Sequence, residues 1–558
     1  MDKRTVIGLV LIALVFILWP VYVEWINPKK SAPSQPVSTG PADTSKDATP
    51  AEPPALVPST APRKSAASQP AVISIPVETV TVETPLAVYK LTTRGATFAS
   101  VVLKKYFLDG KVPLELVPPQ AGTSFEISLP HHNFYSSALD FRPDAKKLEL
   151  SGNQKAALTF TARGEGGRPV HIRYDFSAQS YAIEVSVLVD SLGDWGRDYR
   201  IGWRGGLLVT EKRREDALNY FGAYARMGTE VVHQKSFKND SLKEAALGET
   251  FWIATRSKYF AAVIIPKEAP GTGFWAEGIQ EHDSAGLAGK KISVFIGASS
   301  RQPAALAGRF TLFIGPLDYN LLRGFGNGLE KLLDLGAAPL TPDVLVEPIA
   351  VGMLWLFKGF YKFFPNYGVV IIVFSILIKL LTLPLSRKSA KSMARMAEIQ
   401  PRLEKLKEKY KKDPKKLNEE TLKLYREIGF NPFAGCLPLL LQFPLFMALY
   451  AVLSTAIELR QAPFVFWISD LSAADQFFIL PILMTVLMFW QQKLTIRDPK
   501  QKMMVYLLPA IFFFFFFQMP SGLVLYWTLF NLFSVLEQYW VKKQLAPTVP
   551  ATPAPVAQ

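Results

Sequence analysis

Hydrophobic positions change their rhythm along this chain, and each change marks a division. Thr5 to Val23 is apolar without a break and follows Lys3 and Arg4. A run of that length predicts a membrane-crossing helix. Its positive flank predicts a cytoplasmic N-terminus. The bulky Trp19-Pro20-Val21-Tyr22 offers no small-residue cleavage site, so residues 1–27 read as an uncleaved anchor rather than a signal peptide. Residues 28–72 hold ten prolines among Ser, Thr and Ala. They carry too little apolar surface to fold and read as an extended tether.

From about Ile73 the apolar residues alternate. Val170, Ile172, Tyr174 and Phe176 fall on one face of a strand, as do Ile183, Val185, Val187 and Val189. Ala157–Ala162, Tyr259–Pro266, Lys291–Gly297 and Arg309–Gly315 are further candidates, and Gly164 to Pro169 is a turn between two of them. The pattern predicts a large, mostly antiparallel β domain over residues 73–341, built as a sandwich. Asp318 to Leu335 reads as one amphipathic helix closing it, with Asp318 as its cap.

The rhythm then becomes helical. Residues 342–366 carry Trp355, Phe357, Phe360, Tyr361 and Phe363 beside Lys358 and Lys362, a mixture suited to the bilayer interface. Five further spans follow: Tyr367–Leu385, Phe433–Ile457, Phe477–Trp490, Val505–Met519 and Leu523–Trp540. With the anchor, the chain reads as an α-helical membrane protein of six transmembrane helices carrying an external β domain. Two of the spans are shorter than a bilayer asks, which predicts local thinning.

Charge supports the expected sidedness. The chain carries a net charge of +15. Residues 386–430 hold 14 Lys or Arg against 7 Asp or Glu. Every loop that alternation places inside is basic, as cytoplasmic loops are. Within 386–430, Met393, Met396, Ile399, Leu403, Leu406 and Tyr410 step by three and four, and so do Leu417, Thr421, Leu424, Tyr425 and Ile428. This is a helical hairpin broken at Asp413-Pro414. Its candidate contact residues are Arg387, Lys388, Arg395 and Arg402, for anionic lipids, ribosomal RNA or a signal-recognition partner. Spacing does not choose among these, and a solvated hairpin without a partner fits too.

Lys379 is the exception inside an apolar segment. A lysine at the bilayer centre costs roughly 2.5–3.5 kcal/mol on insertion scales. It lies six residues from Leu385, about 9 Å along a helix, so snorkelling to the headgroups is one reading. Its neighbours favour another. Ser375 lies one turn earlier, Gln442 is mid-span in the next helix, and Trp527, Asn531, Ser534 and Gln538 recur by four, three and four. Ordinary interhelical hydrogen bonding accounts for such a stripe in many proteins. Here one lysine and several amides, with Glu537 the sole acidic residue nearby, look underpaired for a dry interface. The expectation is a hydrated pocket open toward the cytoplasm.

Nothing points to catalysis. The single cysteine, Cys436, excludes an intramolecular disulfide, and no phosphate loop, nucleophile elbow or HExxH sequence is present. The chain reads as a non-enzyme without cofactor or metal. A transporter using the same wet notch and a tethered carbohydrate-binding protein remain alternatives.

Gly435 to Phe446 (GCLPLLLQFPLF), Glu458 to Phe464, Asp470-Leu471-Ser472 and Pro520 to Trp527 (PSGLVLYW) resemble motifs of the YidC membrane protein insertases. The resemblance implies the long Gram-negative form: an inner-membrane protein with a periplasmic β-supersandwich and a core of five helices (367–385 and 431–541). Its cytoplasmic tail would be residues 542–558. It implies an ATP-independent insertase and chaperone acting alone or with the Sec translocon and its accessory subunits. Its partners would be nascent membrane proteins and, transiently, the ribosome and the signal-recognition pathway, with no specific nucleic-acid sequence. The implied groove comprises Lys379, Ser375, Gln442, Tyr526, Trp527, Asn531, Ser534 and Gln538. Two departures stand out. Lys379 occupies the position of a usual arginine and lacks the guanidinium fork. Leu545–Gln558 has no charge where many relatives are basic.

Overall fold

The computed structural model describes residues 77–108, 110–118, 124–190, 196–282, 288–302, 305–336, 343–411, 413–427, 437–495 and 502–545. The expected anchor, the linker and the end of the C-terminal tail lie outside the described residues.

Alternation becomes strand where it was expected. Pro169–Ser177 pairs on one side with Lys155–Arg163 and on the other with Ala182–Val189, all antiparallel. Gly166 and Gly167, at φ of 70° and 76°, make the turn between the first two. This backbone region favours glycine. The strands assemble into a sheet of 14 and a sheet of five. Among the described residues every strand pair is antiparallel except Thr79–Glu83 with Lys147–Glu149.

Aromatic residues join the two sheets face to face. Phe98 of the small sheet meets Tyr174 of the large one edge-on, with ring centroids 5.5 Å apart. Tyr89 meets Phe176 at 5.3 Å. The Tyr174 hydroxyl donates to the Ala96 carbonyl at 2.6 Å. Trp203, Phe98 and Tyr174 are fully buried. Each such ring contributes roughly 1.5–3 kcal/mol through burial, so the layers cannot slide without large cost.

The expected helix Asp318–Leu335 is two pieces instead, a turn of α-helix at Tyr319–Arg323 and a 3-10 turn at Leu329–Leu333. Gly326, Asn327 and Gly328 between them all have positive φ. Glycine is a poor helix residue, and three glycines in five positions stop propagation. Asp318 does cap the first piece, accepting from the Leu321 amide at 2.9 Å.

The helical region follows. Helix α1 (Asp343–Tyr361) buries Val346, Ala350, Met353, Leu354 and Phe357 on one face and exposes Val344 and Trp355 on the other. Helix α2 (Tyr367–Lys409) starts at Asn366, whose side chain accepts from the Gly368 and Val369 amides. It is one continuous helix through the expected boundary at Leu385. The sequence there turns from apolar to basic, but Ser386 onward is rich in Arg, Lys, Ala and Met, which sustain a helix. Helix α3 (Pro414–Glu427) completes the hairpin. Helices α4 (Leu437–Thr455), α5 (Ile479–Thr495), α6 (Lys502–Phe516) and α7 (Ser521–Leu545) make the rest. Helix α5 runs five residues past the expected end at Trp490.

Among the described residues, Val344–Tyr361 and Tyr367–Ser389 are long and apolar enough to cross a membrane, and Gln442–Thr455, Ile479–Leu494 and Val505–Phe516 are shorter apolar helices. These segments do not by themselves establish six spans.

Candidate functional site

The site is built where α2 and α7 run side by side. Ile376, Lys379, Leu380, Leu383 and Arg387 step by three and four along α2. Phe533, Leu536, Glu537 and Trp540 do so along α7. Together they line a cavity of about 360 Å³. Its mouth is apolar, with Leu380 and Leu536 well exposed. Its floor is charged.

Lys379 is paired, contrary to the expectation of an underpaired cation. Its Nζ lies 2.8 Å from Glu537 Oε2 and donates to Ser534 Oγ at 3.0 Å. It also stands 5.1 Å from the centroid of the Phe530 ring. The second Glu537 oxygen accepts from the Ser386 hydroxyl at 2.6 Å. Only 11% of the Lys379 side chain and 8% of the Glu537 side chain are exposed. The amine therefore turns to the neighbouring helix and does not snorkel along its own. Two turns onward, the Arg387 guanidinium covers the Trp540 ring at 4.1 Å, and its Nε is buried without a hydrogen-bond partner among the described residues.

The expected groove residues divide into two groups. Lys379 lines the cavity, and Ser534, just behind the lining, bonds to it from α7. Ser375, Gln442, Tyr526, Trp527, Asn531 and Gln538 do not line that cavity. The Ser375 hydroxyl is buried and donates to the Ile371 carbonyl in its own helix at 2.7 Å, so it does not face Lys379. This i−4 bond is the usual fate of a helical serine among apolar neighbours. Gln442 Nε2 donates to the Tyr526 hydroxyl at 3.4 Å. The Trp527 ring packs among Phe446, Phe512 and Phe516, and its Nε1 has no partner among the described residues. Asn531 donates to the Trp527 carbonyl at 2.9 Å. The buried Gln538 Oε1 also lacks a partner among the described residues. Of the hairpin residues, Arg387 belongs to the cavity, Lys388 and Arg402 are exposed, and the Arg395 side chain lies outside the described residues.

Glu537 is the residue that sequence reasoning undervalued. It is three positions after Ser534 and so shares its face, but spacing within one helix does not reveal which group on another helix it meets.

A second cavity, of about 580 Å³, lies between the sandwich and the helices and is bordered by Glu211, Tyr220, Lys258, Tyr450, Asp470 and Ser472. Burial pushes the Glu211 carboxyl up, with Arg460 opposing it, and burial pulls the Lys258 ammonium down.

A helical region with two helices long and apolar enough to cross a membrane, joined to a β-sandwich, defines a class: membrane proteins with a large extramembrane domain. The family profiles narrow it. That of the YidC periplasmic domain matches residues 79–351, and that of the 60Kd inner membrane protein matches residues 359–548. The membrane protein insertase YidC of Chlorobium luteolum is 34% identical over 97% of this chain and 95% of its own length. That of Syntrophus aciditrophicus is 34% identical over 98% of this chain and all of its own length. The chain belongs to the YidC family of membrane protein insertases, inner-membrane proteins with a periplasmic domain. A crystal structure of an active YidC insertase with its first transmembrane domain resolved shares 18% identity over 83% of this chain and 94% of that one, at a TM-score of 0.36.

Proposed function

We propose that the chain inserts newly made membrane proteins by admitting their polar flanks into the α2–α7 notch. The notch opens to lipid and to the cytoplasm, and the apolar segment of the substrate passes sideways into the bilayer. The observation that carries this reading is the Lys379–Glu537 pair at 2.8 Å on the floor of an apolar-mouthed cavity. A polar flank entering hydrocarbon alone meets a barrier of several kcal/mol. Fixed charges and hydroxyls at mid-depth replace part of the water it loses. The apolar segment then gains roughly 0.3–0.6 kcal/mol for each Leu, Ile, Phe or Val at the centre. An outward-moving negative charge gains about 2.3 kcal/mol per 100 mV. These terms suffice without ATP hydrolysis.

The topology that goes with this reading has six spans, with both termini cytoplasmic, α1 along the outer interface and the sandwich in the periplasm. Lys388, Arg395 and Arg402 then face anionic lipid or the ribosome, and the Sec translocon and its accessory subunits cooperate for larger substrates.

The test is crosslinking of a stalled single-span nascent chain to photoreactive probes at positions 379, 442 and 527, in inverted inner-membrane vesicles. Crosslinks from 379 as the polar flank passes, and from 442 and 527 as the apolar segment follows, are expected. A substrate that reaches the bilayer without touching any of the three sinks the notch as its route.

A further inference from the structure

We propose that Glu537 is a specificity-determining residue, a built-in carboxylate that occupies the Lys379 anion site until a carboxylate on the incoming segment displaces it. The inference rests on the insertase reading above.

Among the described residues the Lys379 ammonium is engaged on three sides. Glu537 Oε2 takes one at 2.8 Å, Ser534 Oγ another at 3.0 Å, and the Phe530 face covers a third direction with its centroid at 5.1 Å. Glu537 is equally committed, since its other oxygen accepts from Ser386 at 2.6 Å. An arriving segment therefore meets a neutral ion pair, not a bare cation. The pair is nonetheless within reach, because Lys379 and Glu537 both border the 360 Å³ cavity. Exchange of one carboxylate for another keeps Lys379 paired throughout. A neutral amide offers no such exchange and would leave Glu537 in place. The floor thus screens flanks by whether they carry an acidic group able to compete with Glu537. Arg387, on α2, also lines the cavity, so the released Glu537 carboxylate stays in a notch that holds a second cation.

This makes an unusual demand on variants. If Lys379 only attracted acidic flanks, Glu537 would be incidental. If Glu537 is the resident ligand, removing Lys379 leaves a buried carboxylate that repels acidic flanks, and removing both takes that repulsion away.

The test uses the full chain in proteoliposomes of phosphatidylethanolamine and phosphatidylglycerol. Two single-span substrates are compared, identical except that the translocated flank carries Asp and Glu in one and Asn and Gln in the other. The readout is the ratio of acidic-flank to amide-flank insertion. Glu537→Gln is expected to raise the ratio about threefold, a fraction of the coupling of a close charge pair because one carboxylate only replaces another. Lys379→Ala is expected to lower it by a similar factor. The Lys379→Ala/Glu537→Gln pair is expected to bring it above Lys379→Ala, since the repelling carboxylate is gone, but below wild type, since the anion site is gone too. An unchanged ratio in Glu537→Gln, or a double variant as low as Lys379→Ala, overturns the proposal and leaves the insertase reading standing. Failure of wild type to insert either substrate above protein-free vesicles overturns that reading instead. Should Glu537→Gln fail to fold, Glu537→Asp keeps the charge but shortens its reach. A ratio above wild type then supports the proposal and an unchanged one overturns it.

Discussion

Arg460, in the turn after α4, donates its Nε to Glu211 of the sandwich at 2.7 Å, with 3% and 12% of the two side chains exposed. The rest of the guanidinium is used as well: its two terminal nitrogens reach the Phe107 carbonyl at 3.1 and 3.2 Å, and one also reaches that of Thr210 at 3.1 Å. One side chain thus holds the sandwich to the helical region through a carboxylate and two carbonyls. Arg460→Ala should cost about 3–5 kcal/mol at this junction, because it leaves the buried Glu211 without its hydrogen-bonded partner. Arg460→Ala/Glu211→Gln should recover part of that loss. Thermal unfolding of the full chain in detergent, with trypsin cleavage between the two regions as a local readout, distinguishes the two. Arg460→Lys should behave closer to the alanine variant, since one ammonium cannot serve three acceptors in the plane of a fork.

The pair Lys235–Asp334, at 2.6 Å and about a quarter exposed, sets a pH dependence for the sandwich. Burial works against the Asp334 carboxylate, but Lys235, Arg256 and His233 outweigh it and hold its carboxyl below the usual range. A carboxyl lowered on folding contributes stability that is present above its unfolded value, about 3.9. That contribution is lost as pH falls through the lower, folded value. Asp334→Asn should therefore destabilise the protein by about 1.5–3 kcal/mol at neutral pH. It should also flatten the decline on acidification. Asn tolerates the backbone here, where φ is 60°, so the substitution isolates the charge. Unfolding midpoints of the two proteins that run parallel from neutral pH into acid would refute the assignment.

The β-sandwich was largely legible because a strand's two faces are written in its own residues. Val170, Ile172, Tyr174 and Phe176 alternate in sequence and are all buried. The end of the domain was not legible in the same way. The apolar spacing of Leu321, Leu322, Leu329, Leu332 and Leu333 suits a helix, and the glycines at 324, 326 and 328 override it. The join of α2 with the hairpin was hidden for a different reason: a change from apolar to basic signals a change of surroundings, not of backbone. At the site, Lys379 and Ser534 stood out as polar residues in apolar helices. What Lys379 touches depends on how α2 and α7 are rotated against each other, and neither helix records that alone. Glu537 was visible yet its role was not.

Gly522, at the start of α7, sits close to three neighbours at once. A Cβ there would lie 3.1 Å from Ile371 Cδ1, 3.2 Å from Leu453 Cδ2 and 3.2 Å from the Leu471 carbonyl. Small residues at helix contacts are what let membrane helices pack closely. The first turn of α7 is also tied to the preceding loop, for the Gly522 amide donates to the Leu471 carbonyl and the Ser521 hydroxyl to that of Asp470. Gly522→Val should destabilise by about 1–3 kcal/mol through overpacking, and Gly522→Ala by less. The melting temperatures of the two variants in detergent should fall in that order. A valine variant as stable as wild type would mean that α2, α4 and α7 separate more easily than this contact implies.

Lys379→Arg tests what the notch requires of its cation. Glu537 presents one oxygen to Lys379 and the other to Ser386. A guanidinium is planar and holds several donors in a fixed fork, suited to gripping both oxygens of one carboxylate. Its charge would satisfy Glu537, but a two-pronged grip would compete with Ser386 and make the resident carboxylate harder to displace. The arginine variant should therefore fold as well as wild type and insert amide-flanked substrates about as fast, because Glu537 keeps a paired charge. Acidic flanks should lose more, in the sense opposite to Glu537→Gln. Insertion rates for matched acidic and amide substrates in vesicles measure both. Faster insertion of acidic flanks by the arginine variant would show that fork geometry helps the substrate more than it helps Glu537, and that the cation, not its resident partner, governs selection.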